Sequence, residues 1–199
     1  MLDGEWPADH VSMINRTLRR GLFPAILVWA ALALPATTPA QTCAGADVMP
    51  ANNNVLGLRG ATLCLLNAER QRRGLPPLTP NAQLEKAAQN YSRTMVREQF
   101  FDHVSPNGST LLTRVRRGTR YLQGARSYSL GENIAWGSGD FATPRETVKG
   151  WMESPGHRAN ILNRRFRHIG IGVAQGAPDD DQGMPAATYT TDFGRRSPG

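Results

Sequence analysis

Apolar residues recur at helical spacing through the middle of the chain and give way to extended runs toward its end. In "ATLCLLNAERQRRG", starting at Ala61, they share one helical face, and Gly74 stops the pattern. The segment before it, Gln41 to Leu58, reads as a loop ending in a run of asparagines. "LPPLTP" is an extended connector. Thr79-Pro80 then sets a cap residue ahead of a proline at a first helical position. Leu84, Ala87, Ala88, Tyr91 and Met95 follow the i, i+3, i+4 rule, so a long helix with one buried stripe is predicted, ending near Phe100-Phe101.

After the turn-rich "DHVSPNGS" comes a short helix, "TLLTRVRRG", and then the glycine-bounded extended run "SYSLGENIAWGSG". Thr143 and Glu146 form a T-x-x-E capping pattern at the head of the next helix, whose inward face is Val148, Trp151 and Met152. Ser154-Pro155 breaks that helix, and Ser154 caps another, "PGHRANILN". "HIGIGVAQG" and "AATYTTDFG", joined by the polar "APDDDQGMP", predict an antiparallel hairpin. Helices, a strand, helices and a hairpin make an α+β domain, a sheet with helices packed on it. There is no internal repeat or low-complexity tract, and the terminal "RRSPG" is expected to fray.

Residues 16–40 change the picture. Arg16, Arg19 and Arg20 precede an apolar run from Gly21 to Leu34, and Thr38-Pro39-Ala40 offers small residues at a cleavage point. That is the pattern of a secretory signal peptide. The run is shorter than the ~20 residues of a spanning helix, which disfavours a retained anchor. Gln41-Thr42 before Cys43 is poor lipobox chemistry, and Met13 is an alternative start. The expected organisation is a leader over 1–40, an N-terminal segment over 41–58, the domain over 59–195 and a tail over 196–199. Of 199 residues, 40% are hydrophobic, enough for one cored domain, and the formal charge is +7. Export argues against nucleic acid as the partner of that charge and leaves anionic envelope polymers, lipid headgroups or solubility. It also argues for one disulfide between the only two cysteines, Cys43 and Cys64, with two free thiols as the alternative.

Beyond the leader the chain has three histidines: His103, His157 and His168. His103 follows the long helix. His157 is the third residue of a helix, where the positive end of the dipole favours the neutral imidazole that accepts a proton or binds a metal. Glu132, among apolar and glycine residues in "LGENIAWG", is the natural buried carboxylate. Each also fits a purely structural role, and spacing alone does not unite them. Arg114, Arg116, Arg117 and Arg120 read as a solvated basic face, His168 as edge-facing at a strand start, and Trp136 and Trp151 as core. Asp179 to Asp181 form a charged loop without calcium-binding spacing.

"HVSP", "GENIAWG", "WMESPGHRANIL" and "HIGIGVA" occur in an order that resembles the CAP superfamily: cysteine-rich secretory proteins, antigen 5 venom allergens and pathogenesis-related proteins, here in its compact bacterial branch. The likeness runs from Leu63 to Phe193 and implies a three-layer α-β-α sandwich. It implies a cleft in which His103, Glu132 and His157 match two histidines and a glutamate. A second glutamate of that family falls where this chain has Ser154. Glu153 is one residue early, about 100° away around a helix. The resemblance implies a divalent metal such as zinc on His103 and His157, with positions left open for water or ligand. The expected function is a secreted module that binds a lipid-like or cell-envelope ligand. The alternatives are a metal- or serine-dependent hydrolase using His103, Glu132 and His157, with Ser105 and Ser154 as the available serines, and a structural or adhesive domain.

Overall fold

The computed structural model describes residues 42–51, 54–179, 181 and 183–199; the expected leader and the alternative start at Met13 lie outside them. The elements in chain order are α1 (Val55–Gln71), β1 (Thr79–Pro80), α2 (Ala82–Glu98), α3 (Leu111–Gly118), β2 (Ala125–Ser138), α4 (Pro144–Glu153), α5 (Pro155–Ile161), β3 (His168–Gln175) and β4 (Ala186–Pro198). A single 3-10 turn, Gly139–Ala142, leads from β2 toward α4. The sheet order is β1-β3-β4-β2; β1 pairs parallel with β3 and the other pairs are antiparallel.

The alternation of β3 explains the two faces. Ile169, Ile171 and Val173 point into the main core with Leu58, Leu66, Leu78, Trp151, Tyr189 and Phe193. This is the layer made by α1, α4 and α5. Gly170 and Gly172 point the other way, against α2. A Cβ on Gly172 would lie 2.3 Å from the backbone carbonyl of Ala88, so only glycine lets helix and sheet approach this closely. On that second face the predicted stripe of Leu84, Ala87, Ala88, Tyr91 and Met95 is buried. The result is the expected α-β-α sandwich, with α2 as one outer layer.

Arg70 locks the core layer. It is fully buried at the end of α1 and donates to the carbonyls of Pro76 (2.9 Å), Ile161 (2.7 Å), Asn163 (3.1 Å) and Phe166 (3.5 Å). One guanidinium thus satisfies connector carbonyls that no helix or strand could. Cys43 and Cys64 are bridged, which ties the N-terminal segment to α1.

Four expectations are corrected. The first helix begins at Val55, inside the stretch expected to be loop. Thr79-Pro80 does not open α2; it forms β1, and Thr79 and Asn81 donate their backbone N–H groups to β3-side carbonyls. Asn81 is the actual cap, accepting from the backbone N–H groups of Gln83 and Leu84. The C-terminal residues do not fray: β4 continues to Pro198, paired with Ala125, because β2 is long enough to hold it. His168 is not at an edge, since β3 lies between β1 and β4, and its Nδ1 is 2.9 Å from the Tyr121 hydroxyl.

Candidate functional site

Glu132 sits on β2, the edge strand opposite β1, directly across from Asp192 of β4. Strand alternation points both side chains to the α2 face. There the Glu132 side chain is only 3% exposed, and its two oxygens have different partners. Oε1 is 2.9 Å from Nδ1 of His103, on the loop after α2. Oε2 accepts from the Arg114 guanidinium at 2.5 Å.

Arg114, expected on a solvated face, has a side chain only 10% exposed that knits the site together. It donates to the carbonyls of His103 (3.1 Å) and Ser109 (2.9 Å), which fixes the loop between α2 and α3. Its guanidinium lies 3.3 Å above the centre of the Tyr91 ring, a cation–π contact. Tyr91 in turn donates its hydroxyl to the carbonyl of Asp102 at 2.6 Å. A charge count along α3 gives no sign of this, because which arginine turns inward depends on the loop folding back over the helix.

His157 approaches from the other layer. Asn160 donates to the backbone carbonyl of Glu132 (3.1 Å) and to the side-chain oxygen of Asn133 (2.9 Å). Asn133 donates to the carbonyl of His157 (3.1 Å). These two asparagines stitch α5 to β2, so His157 stands at the sheet edge close enough to feel the charge of His103. "GEN" and "GHRAN" therefore carry positioning residues next to the titrating ones. Ser154 ends α4 and begins α5 with its backbone: its N–H bonds the Gly150 carbonyl, and its side chain makes no capping hydrogen bond, contrary to expectation. Thr143 does cap α4, accepting from the Glu146 N–H.

The two histidines are pulled apart electrostatically. The hydrogen bond to Glu132 holds His103 above its ordinary value of 6.5 against some desolvation. Burial pushes His157 below 6.5, and a charge on His103 pushes it further. Of the two, His157 gives up its proton more readily and His103 holds it more tightly. Asp192 is wholly buried; burial first and the Glu132 charge second drive its carboxyl well above the usual carboxylate range, toward the neutral form. Sequence gives no signal for Asp192, since "TTDFG" reads as an ordinary strand.

Among the described residues, no group of three or more His, Cys, Asp and Glu side chains is placed to hold a metal ion. The donor chemistry agrees. Both oxygens of Glu132 are engaged, one of them by a guanidinium, which leaves the two imidazoles as nitrogen donors. A zinc site wants at least three protein ligands, so the side chains as arranged do not fit one.

A two-layered helical cover on a short mixed sheet, with paired histidines and a glutamate at the sheet edge, is the architecture expected of a CAP domain. The profile of the cysteine-rich secretory protein family matches residues 63–192, more than half of the chain, and the protein belongs to that family. It is 45% identical over 112 residues to the uncharacterized protein YkwD of Bacillus subtilis (strain 168), an alignment covering 56% of this chain and 40% of YkwD. Among solved structures, an extracellular protein containing an SCP domain from Bacillus anthracis str. Ames superposes with a TM-score of 0.54 at 28% identity, over 72% of this chain and 44% of that one. An outer surface protein from Borrelia burgdorferi shares the fold with a TM-score of 0.57 at 19% identity, over 75% of this chain and 98% of that one. The chain thus spans less than half the length of its Bacillus relatives.

Proposed function

We propose that the protein acts outside the cytoplasm as a binding module that holds a lipid-like or cell-envelope ligand at the His103–Glu132–Arg114 cluster, with His157 beside it. The observation that carries this reading is the chain of contacts itself. A buried carboxylate is fixed by a buried guanidinium and presents a half-exposed imidazole, 53% open to solvent, on its other oxygen. Such a preorganised group loses little on binding a polar or anionic ligand part. The Cys43–Cys64 bridge supports an oxidising compartment. The Bacillus anthracis relative, described as extracellular, supports the same placement. Among the described residues no helix is long and apolar enough to cross a membrane.

The geometry favours binding over serine hydrolysis. Ser105 is buried, its N–H is held by the Ser109 carbonyl, and among the described residues neither its hydroxyl nor that of Ser154 is hydrogen-bonded to a histidine. The test is calorimetric titration with phosphatidylglycerol vesicles and, separately, soluble peptidoglycan fragments. One of them binds the native protein, and His103→Ala weakens that binding at least fivefold. Silence from both probes, or equal binding by His103→Ala, refutes the reading.

A further inference from the structure

A second concavity lies between α2 and α3, with Arg114 in its wall and the loop from Ser105 to Ser109 at one end. Its volume is about 660 Å³, within the range of small-ligand sites, and its lining leaves out His103, Glu132 and His157. Asn90, Thr94 and Arg97 come from one face of α2 at helical spacing; Thr113 and Arg117 come from the facing turn of α3. Asn107 and Ser109 supply the loop end.

This chemistry selects a ligand. Ligand clefts are usually apolar with a few polar anchors. Here amide, hydroxyl and guanidinium side chains outnumber the rest and their carbon stems make up much of the wall, Ala87 is the one aliphatic side chain, and the Tyr91 ring is covered by Arg114. A lipid chain meets no aliphatic side chain but Ala87, and a neutral sugar has no open ring to stack on, since Tyr91 is buried. The charge and the polar groups of the lining point to a hydroxylated anion. Arg97 and Arg114 are ion-paired with Glu98 and Glu132, and Arg117 is the lining cation without an ion pair among the described residues, beside the hydroxyls and amides of Asn90, Thr94, Asn107 and Thr113.

We propose that this α2/α3 groove is a separate binding site for a phosphate- or carboxylate-bearing polyol or glycan chain, with Arg117 and Asn90 as its principal contacts. The anionic group lies against Arg117. The hydroxyls of the chain exchange hydrogen bonds with Asn90, Thr94, Asn107 and Thr113. The site does not depend on the role of the histidine cluster.

The test is a two-dimensional amide NMR titration of the full chain with a poly(glycerol phosphate) oligomer. Maltotriose serves as the neutral comparison and a short single-stranded oligonucleotide as the non-polyol anion. The expected result is saturable shifts at Asn90, Thr94, residues 107–109, Thr113 and Arg117, strongest for the polyol phosphate. The double variant Asn90→Ala/Arg117→Ala weakens binding at least tenfold, as the loss of one neutral and one charge-assisted contact requires. Both substituted side chains are exposed, so the variant folds. His157→Ala binds within twofold of native. Binding by the double variant within twofold of native overturns the proposal. So does equal affinity for maltotriose or the oligonucleotide. Loss of binding in His157→Ala with retention in the double variant also overturns it, because the ligand then sits at the histidine cluster and only the first functional reading survives.

Discussion

Arg114→Ala is the perturbation that most directly tests how the site is built. In the native protein a carboxylate 3% exposed and a guanidinium 10% exposed meet at 2.5 Å. Removing the arginine does more than delete a contact. It leaves Glu132 buried beside Asp192 with only His103 as a cationic partner among the described residues, and releases the loop carbonyls of His103 and Ser109. Breaking a buried pair from one side costs roughly 3–5 kcal/mol, because the surviving charge is uncompensated. At a urea m-value of about 2 kcal/mol/M, this lowers the unfolding midpoint by roughly 1.5–2.5 M. A domain with about 5–15 kcal/mol of total stability still folds at 25 °C in most of that range. The cause is separable by a cycle. Glu132→Gln added to Arg114→Ala removes the stranded charge, so the double variant should be more stable than Arg114→Ala alone. Urea unfolding at pH 7.5, followed by far-UV circular dichroism, measures all three proteins. A loss under about 1 kcal/mol for Arg114→Ala, the size of a surface ion pair, refutes the burial argument. A double variant less stable than the single refutes the stranded-charge argument.

Asp192→Asn should stabilise the protein near pH 8. The folded carboxyl binds its proton more tightly than the unfolded one, so native Asp192 loses stability as pH rises from the unfolded toward the folded value, and asparagine removes that loss; unfolding at pH 5 and pH 8 in both proteins checks the sign. In a proton NMR titration His103 should ionise above 6.5 and His157 below it, and Glu132→Gln should move His103 down. The linked stabilities run oppositely: the His103 contribution is full below about 6.5 and fades as pH rises through its folded value, whereas that of His157 is full above about 6.5 and fades as pH falls through its folded value. Gly172→Ala should cost at least about 2 kcal/mol in thermal or urea unfolding, since its Cβ meets helix backbone rather than a movable side chain.

Periodicity determined the buried stripe of α2 and the β3–β4 hairpin, and proline the helix break at Ser154-Pro155. These are local facts, set by which residues a 3.6- or 2-residue repeat brings to one face. Ordered motifs supplied His103, Glu132 and His157. What local pattern misjudged depended on partners distant in sequence. Thr79-Pro80 became a strand because β3 lay beside it, and the C-terminus stayed ordered because β2 extended to meet it. Arg114 and Asp192 looked like a surface arginine and a strand residue. Only tertiary packing turned one inward over Tyr91 and set the other, wholly buried, across from Glu132. A charge in sequence carries no record of its solvation. Its energy, and so its role, is decided by which groups the fold brings within a few ångströms and whether water is left between them.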